Sequence, residues 1–224
     1  MNILSLFDGI SCGQIALRRS GVFYDKYFAS EIDSDAIAVT SKHFPDTIYL
    51  GDVRSLQADK LNIDFLIGGS PCQGLSLLNR AGQSGLQHPE SCLFYEFVRI
   101  LRETRPRYFL LENVPMRKEW RDLMSNEIGV APVKVDAACF SEQRRPRLYW
   151  TNIPFPIPSE SQGRKFPTIT TRGAFVGGSA LTIDECERLQ GLPEGYTYGM
   201  SDRLRAIGNG FSIDTVAHIL RGLA

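Results

Sequence analysis

The sequence has no apolar run as long as the roughly 18 residues that a membrane-spanning helix needs. The segment Met1 to Asp8 also lacks the basic region and long apolar stretch of a secretory signal peptide. It predicts instead a strand that begins almost at residue 1. These absences predict a cytoplasmic protein that does not engage membranes.

Cysteine is sparse and shows no pairing pattern. The five cysteines are Cys12, Cys72, Cys92, Cys139 and Cys186. Their number is odd and no two have the C-x-x-C spacing, which disfavours both a disulfide framework and a zinc site. We therefore expect no bound metal, and a reducing cytosol is the simplest setting for these thiols.

Net charge is absent as well, since 25 basic residues balance 25 acidic ones. This balance disfavours binding to nucleic acid through bulk charge alone. However, residues 99–121 and residues 142–172 each carry a net charge of +4. These segments indicate either a local phosphate-binding surface or solvated helix faces, and charge alone does not decide between them.

What is present indicates an α/β fold. The 224 residues, 43% of them hydrophobic, suffice for one packed domain over residues 1–224. Short apolar runs predict strands at Asn2–Phe7, Tyr27–Ile32, Thr47–Leu50, Asp64–Ile67 and Tyr108–Glu112. Amphipathic stretches between them predict helices at Gly13–Ser20, Ser34–His43 and Pro89–Arg105. This alternation is typical of a doubly wound, mostly parallel sheet.

The second half of the chain is less regular. Residues 131–153 predict two more strands, joined near Ser141–Arg147. Residues 154–180 are rich in proline and glycine with little periodicity, which indicates a loop-rich insert. Helices are predicted at Thr182–Leu189, with Thr182 and Glu185 as a capping box, and at Ser212–Leu223.

The turn after the first strand predicts a ligand site. Glycines in Phe7–Gly13 allow a sharp turn at the carboxyl edge of the sheet, but the spacing is not that of a pyrophosphate cradle. Glu31 and Asp52 follow the second and third strands, and Glu31 is well placed for ribose hydroxyls. A nucleoside cofactor without phosphates fits this pattern. A generic tight turn with surface carboxylates fits the same residues equally well.

A candidate nucleophile follows the fourth strand. Cys72 lies in Gly68–Gln73, a turn at the ligand edge, and the glycine-rich stretch Gly74–Gly85 after it is a candidate lid. A free cysteine is more often a small buried hydrophobe. The surrounding Gly-Gly-Ser-Pro frame argues against that alternative.

Glu112 and two arginines supply polar groups for the same edge. Glu112 ends the fifth strand, where burial would keep its carboxyl protonated or let it share a proton with a ring nitrogen. A capping or salt-bridged glutamate is the alternative. Arg145 and Arg147 are two residues apart, so in extended chain they point to one side and converge on one substrate. Such a basic run is otherwise surface decoration.

These segments, in this order, resemble the cytosine-5 DNA methyltransferases, most closely the animal de novo branch. The matching segments span nearly the whole chain: Phe7-Asp8-Gly9, Glu31, Asp52, Pro71-Cys72-Gln73, Glu112-Asn113-Val114, Gln143-x-Arg145-x-Arg147, Leu189-Gln190-Gly191-Leu192-Pro193 and Gly208-Asn209-Gly210. The small size suggests a stand-alone catalytic domain from a bacterium or phage.

The resemblance implies the reaction and the residue roles. Cys72 adds to cytosine C6, Glu112 binds N3 and the exocyclic amine, Arg147 and Arg145 steady the base carbonyl, and Asn113 braces the cysteine turn. The methyl donor is S-adenosylmethionine. Its implied binding residues are Phe7, Asp8, Gly9, Ile10, Glu31, Ile32, Asp52, Val53, Pro71, Asn209, Gly210 and Phe211. Residues 181–224 complete the cofactor-binding fold.

The implied partner is double-stranded DNA with the target base flipped out. The implied DNA-binding residues are Gln73, Ser76, Arg80, Arg172 and Gly173. Residues 154–180 are too few for the large recognition domain that many family members carry. Thr168–Gly173 is therefore a candidate recognition loop, with Arg172 reading guanine in a short site such as CG. A homo-oligomer would lengthen the DNA surface, and no residue decides this.

Two alternatives stay open at this stage. An RNA cytosine methyltransferase has the same motifs, but the Cys-Phe-Thr signature usual in the tRNA-directed branch is absent from residues 153–190. A non-enzymatic relative that binds a partner methyltransferase would have lost catalytic residues. Cys72, Glu112, Arg145 and Arg147 are all present.

Overall fold

A computed structural model describes residues 1–76, 84–159 and 166–223. Its centre is a seven-stranded sheet in the order β3-β2-β1-β4-β5-β7-β6. The strands are β1 Asn2–Leu6, β2 Lys26–Ser30, β3 Ile48–Tyr49, β4 Phe65–Gly69, β5 Tyr108–Asn113, β6 Val133–Asp136 and β7 Pro146–Thr151. β1 to β5 run parallel, and β7 lies antiparallel to both β5 and β6. The predicted doubly wound, mostly parallel Rossmann-like fold is confirmed.

Helices cover both faces of this sheet. They are α1 Cys12–Ser20, α2 Ser34–His43, α3 Phe94–Thr104, α4 Lys118–Ile128, α5 Ile183–Gln190, α6 Arg203–Asn209 and α7 Ile213–Leu220. Ile3 packs with α1, α2 and α7 on one face, whereas its neighbour Leu4 packs with α3 and α4 on the other. Successive strand residues point to opposite faces, so each buried strand contributes to two cores.

Helix boundaries follow the local capping chemistry. α2 has the predicted bounds, and the Asp33 side chain caps its first turn by accepting from Asp35 and Ala36 amides. α1 ends at Gly21, whose φ of 77° is the left-handed conformation that favours glycine. The predicted capping box at Thr182 and Glu185 is present at the start of α5. The predicted bounds of α2, the predicted end of α1 at Ser20 and the predicted capping box are confirmed, whereas the Asp33 cap was not predicted.

Several predicted elements differ from the observed ones. The helix predicted from Pro89 begins only at Phe94, because residues 85–87 and 91–93 form separate 3-10 turns. The second strand ends at Ser30, since the Glu31 carboxylate accepts the next two backbone N–H groups. The analysis did not predict α4 or α6. α4 fully buries only Met124, and α6 has seven residues, so neither has a broad apolar stripe.

The insert at residues 154–180 packs on the main core where it is described. Ile169 and Ala174 are buried in the core that includes Ile3 and the helices α1, α2 and α7. A short hairpin, β8 Phe175–Val176 and β9 Ser179–Ala180, follows them. Backbone bonds join Phe166 to Glu142 and Arg144. These contacts attach the insert to the segment between β6 and β7.

Candidate active site

The carboxyl ends of β4 and β5 bring the candidate nucleophile and acid together. The two strands are paired in parallel, with Gly69 opposite Glu112. Cys72 lies three residues beyond Gly69, in the turn that leaves β4. The predicted grouping of these two side chains at one sheet edge therefore follows from strand register.

The cysteine turn is held at both ends by side-chain hydrogen bonds. Before Cys72, the Asn113 amide donates to the carbonyl and hydroxyl oxygens of Ser70, at 3.1 and 3.0 Å. After it, the Gly74 backbone N–H donates to the buried Ser91 hydroxyl at 2.9 Å. The Cys72 carbonyl accepts from Leu75 at 2.9 Å. The sequence analysis missed Ser91, since a lone serine before a helix carries no specific signal.

Glu112 and Arg147 form a buried ion pair. The Arg147 Nε lies 2.9 Å from Glu112 Oε1, and both side chains are about one-tenth exposed. Burial raises the pKa of the Glu112 carboxyl, and the positive charge of Arg147 opposes that rise. A carboxyl in this state holds a proton more readily than an exposed glutamate and can deliver it to a bound base.

Cys72 is a free thiol in a half-buried position. Burial and the nearby Glu112 charge raise its pKa, while Arg147 and Arg145 lower it. The thiol is therefore predominantly protonated at neutral pH, so it is not a reactive surface cysteine in the free protein. Activation requires the substrate or a change in its surroundings.

The structure places Arg145 differently from the prediction. Its Nη1 donates to the Ile169 carbonyl at 2.8 Å, and its Nη2 donates to the Gly208 and Gly210 carbonyls at 2.8 and 2.9 Å. The side chain is 2% exposed. Arg145 and Arg147 therefore do not converge on one substrate. Arg145 lies before β7, which begins at Pro146. Backbone carbonyls accept hydrogen bonds from both terminal nitrogens of the Arg145 side chain.

The turn after β1 has an unusual backbone and a carboxylate anchor. Phe7, Gly9 and Ser11 all have φ near +55°, which is costly for the two non-glycine residues. The Gly9 N–H donates to Glu31 Oε2 at 2.7 Å, while Glu31 Oε1 accepts from Ile32 and Asp33. Glu31 thus fixes the turn against the end of β2.

The Asp8 side chain turns inward from this turn. The buried Tyr27 hydroxyl donates to Asp8 Oδ1 at 2.7 Å. Asp8 Oδ2 is buried without a partner among the described residues. Burial raises the pKa of Asp8 to about 6. The Asp8 carboxyl group is therefore turned into the protein, which leaves only the Asp8 backbone for the predicted cofactor contact.

Asp52 is also engaged within the protein. Its carboxylate accepts hydrogen bonds from the Arg54 side chain and backbone, and these bonds lower its pKa. Val53 beside it is buried. Ile32, at the end of β2, is 70% exposed and leaves an apolar surface beside Glu31.

The segment Gly208–Phe211, called here the cofactor loop, returns from the C-terminal part to the same edge. A Cβ on Gly69 would lie 2.8 Å from the Phe211 ring, and a Cβ on Gly210 would lie 2.8 Å from Cys12 Sγ. The loop therefore contacts both the end of β4 and the start of α1. Residues far apart in sequence meet here around the predicted cofactor site.

The predicted DNA-binding residues are distributed around the cysteine turn and the insert. Gln73 is exposed and Ser76 is half-buried, whereas Arg80 lies outside the described residues. Arg172 is exposed on a turn closed by mutual backbone bonds between Thr170 and Gly173. Gly173 has a φ of 81° and its N–H and carbonyl are used within the turn, so it shapes the turn that presents Arg172.

No helix within the described ranges has both the length and the apolar character to cross a bilayer. Nor do they contain a group of three or more histidine, cysteine, aspartate or glutamate side chains placed to hold a metal ion.

A Rossmann-like sheet with a cysteine, a carboxylic acid and an arginine at its carboxyl edge defines a candidate group-transfer enzyme. The sequence pattern of the family "C-5 cytosine-specific DNA methylase" matches residues 1–125, and the chain belongs to this family.

Curated relatives come from bacteria and their phages. The orphan methyltransferase M.Rho11sI of Bacillus phage rho11s is 38% identical over 117 residues, covering 51% of this chain and 23% of the relative. The orphan methyltransferase M.SPRI of Bacillus phage SPR is 33% identical over 145 residues, covering 63% and 31%. The chain thus spans a third or less of the length of these relatives.

Solved structures share the whole fold. The Entamoeba histolytica methyltransferase EhMeth superposes with a TM-score of 0.78 and 14% identity, covering 100% of this chain and 97% of that one. A Spodoptera frugiperda DNMT2 variant superposes with a TM-score of 0.73 and 17% identity, covering 99% of each chain. At these identities the likeness concerns the fold alone.

Proposed function

We propose that this chain transfers a methyl group from S-adenosylmethionine to carbon 5 of cytosine in DNA through a covalent bond between Cys72 and cytosine C6. One observation carries the proposal. The Cys72 turn and the Glu112–Arg147 pair lie at adjacent strand ends, with the cofactor loop in contact with the same edge. Family membership supports the same reaction.

The residues around the first turn fit this cofactor. The Phe7 ring, the exposed Ile32 and the Phe211 ring provide apolar surface for an adenine, and Glu31 provides carboxylate oxygens at the end of β2 for a ribose. The remaining predicted contacts are made by the segments that meet at this edge: Asp8, Gly9, Ile10, Asp52, Val53, Pro71, Asn209 and Gly210. When bound, S-adenosylmethionine supplies an electrophilic methyl group to carbon 5 and leaves as S-adenosylhomocysteine.

The protein's own groups make carbon 5 nucleophilic. The Cys72 thiolate forms a bond to C6 while Glu112 delivers a proton to N3, so the ring's electrons move toward carbon 5. Arg147 stays paired with Glu112 and orients it toward the base. After methylation, a base removes the proton from carbon 5, the bond to C6 breaks and N3 returns its proton to Glu112, which regenerates both the Cys72 thiolate and the protonated carboxyl.

Replacement of the nucleophile tests this proposal. Cys72→Ser is expected to abolish transfer of labelled methyl groups to duplex DNA, while S-adenosylhomocysteine binding stays within about twofold, because the hydroxyl is a far weaker nucleophile. Cys139→Ser is the matched control, since Cys139 bonds to the Ser159 carbonyl outside the site. Full activity in Cys72→Ser contradicts the covalent step.

The substrate and the site require separate measurements. The same assay with tRNA in place of DNA distinguishes the RNA-directed alternative, and a partner-binding relative would methylate neither. Bisulfite sequencing of DNA treated with the protein gives the target. We expect a short site of about two to four base pairs, such as CG, because an insert of this size presents few base-reading side chains. Dependence on a six-base-pair site contradicts that expectation.

A further inference from the structure

Arg145 joins two segments that the reaction uses for different ligands. Two of its guanidinium nitrogens bond to three backbone carbonyls, at 2.8, 2.8 and 2.9 Å. One carbonyl belongs to Ile169, within Thr168–Gly173, called here the recognition turn. The other two belong to Gly208 and Gly210 in the cofactor loop. A single buried side chain thus holds both segments.

A second polar connection runs parallel to the first. Gln143 Oε1 accepts from the Ile169 N–H at 3.2 Å, and Gln143 Nε2 donates to Gln190 Oε1 at 2.9 Å. Gln190 Nε2 in turn donates to the carbonyls of Gly210 and Phe211, at 2.6 and 2.8 Å. Both glutamine side chains are buried. The recognition turn therefore reaches the cofactor loop by two chains of hydrogen bonds, which both start at Ile169 and share the Gly210 carbonyl.

The two segments also touch directly. A Cβ on Gly208 would lie 2.4 Å from the Thr170 carbonyl carbon and 2.5 Å from its oxygen. No side chain fits in that space, so the backbones are in van der Waals contact. A shift of either segment displaces the other, because packed interiors do not leave room for independent movement.

From these contacts we infer that the recognition turn and the cofactor loop move as one unit through Arg145, so that DNA and cofactor binding are energetically coupled. Arg145 is then a positioning residue rather than a group that touches the base. The inference depends on the proposed function, because that function supplies the two ligands. It adds that each ligand strengthens the binding of the other by the same factor.

Because the Arg145 side chain is buried, its hydrogen bonds to the two segments are costly to break. The hydrogen bonds of the Arg145 guanidinium to described residues all go to backbone carbonyls. Its Nε has no partner among the described residues. Withdrawal of either segment would leave a buried charged donor without an acceptor, which costs more than an ordinary hydrogen bond. Lysine cannot replace it, since one ammonium group lacks the planar fork that spans separate acceptors.

Binding constants measured singly and together test the inference. The probes are S-adenosylhomocysteine and a poly(dG-dC) duplex. For the wild-type chain we expect the duplex to strengthen S-adenosylhomocysteine binding about 5- to 150-fold, the usual range for coupled sites. Two ligands that bind independently overturn the inference. Failure to bind either ligand counts against the proposed function instead.

Two variants assign the coupling to these contacts. Arg145→Lys and Gln143→Ala, which break the first and the second connection, are each expected to reduce the coupling to within about twofold while each ligand still binds alone. Arg188→Lys is the matched control, because Arg188 pairs with Glu142 at the surface. Variants that fold and keep full coupling overturn the assignment, and so do folded variants that no longer bind either ligand alone.

Hydrogen exchange on the wild-type chain gives a test that needs no variant. S-adenosylhomocysteine alone is expected to slow amide exchange at the recognition turn, because the cofactor loop holds that turn through Arg145. Unchanged exchange at Thr170–Gly173, with clear protection of the cofactor loop, overturns the inference even where both variants fail to fold.

Discussion

At the scale of the residue, Cys72 and Glu112 have opposing requirements. The Glu112 charge raises the pKa of the Cys72 thiol, although the reaction needs both a thiolate and a proton-donating carboxyl. Arg147 lowers the pKa of the Cys72 thiol, but its positive charge also favours ionised Glu112 and so opposes the protonated carboxyl that the reaction needs. In the proposed reaction, the Cys72 thiolate is therefore favoured while Glu112 is still protonated, and Glu112 becomes charged only when it protonates the base.

Removal of the Glu112 charge is expected to separate thiol reactivity from catalysis. In Glu112→Gln, alkylation of Cys72 by iodoacetamide at neutral pH should be faster than in the wild type, because the charge that raises its pKa is absent. Methyl transfer should fall by about 10²- to 10⁴-fold. Mass spectrometry follows Cys72, with Cys139 in the same sample as the internal control. Slower alkylation of Cys72 contradicts this account of the site.

At the scale of the element, the cysteine turn at residues 70–74 owes its shape to its neighbours. Asn113 on β5 holds its start, and Ser91 holds its end through the Gly74 N–H. Gly74 itself has no room for a side chain, since a Cβ there would lie 2.4 Å from the Gly85 carbonyl oxygen. The proposed nucleophile Cys72 is thus positioned by hydrogen bonds to the two ends of its turn.

Loss of the Ser91 hydroxyl is expected to affect the chemical step selectively. Ser91→Ala leaves the buried Gly74 N–H without its acceptor, at a cost of about 1–3 kcal/mol in the free energy of unfolding. We expect kcat for methyl transfer to fall roughly ten- to hundredfold through misplacement of Cys72. S-adenosylhomocysteine affinity should stay within about twofold. Ser91→Thr should restore part of kcat, whereas equal losses in Ser91→Thr and Ser91→Ala would argue against a hydrogen-bonding role.

At the scale of the whole molecule, Asp8 links the turn after β1 to the free energy of unfolding. Its folded-state pKa of about 6 lies above the ordinary value of 3.8, so the folded state binds a proton more tightly than the unfolded state. The contribution of Asp8 to stability is therefore present below pH 3.8 and is lost as pH rises through about 6.

Substitution of Asp8 by asparagine is expected to remove this pH dependence. Between pH 4 and pH 7, the free energy of unfolding of Asp8→Asn should rise relative to the wild type by up to about 3 kcal/mol, the equivalent of about two pKa units. Urea denaturation at several pH values measures the difference. A difference between the two proteins that is constant with pH contradicts the raised pKa.

Much of this arrangement was predictable because it depends on local sequence. Alternating apolar runs specify strands, and the carboxyl ends of parallel strands share one edge, which placed Cys72 near Glu112 before any contact was known. Caps at Asp33, Thr182 and Gly21 likewise act on backbone groups within a few residues. The family match to residues 1–125 covers Cys72, Glu112 and the caps at Gly21 and Asp33, but not the cap at Thr182.

Tertiary structure decided what depends on partners distant in sequence. Arg145 and Arg147 have the spacing of two side chains that contact one ligand. In the folded chain, however, Arg145 donates to the carbonyls of Ile169, Gly208 and Gly210. Arg147 instead pairs with Glu112. The inward turn of Asp8 and the role of Ser91 have the same origin. A sequence specifies which groups a chain carries at each strand end, but a hydrogen bond forms with whichever acceptor the packed backbone brings within about 3 Å.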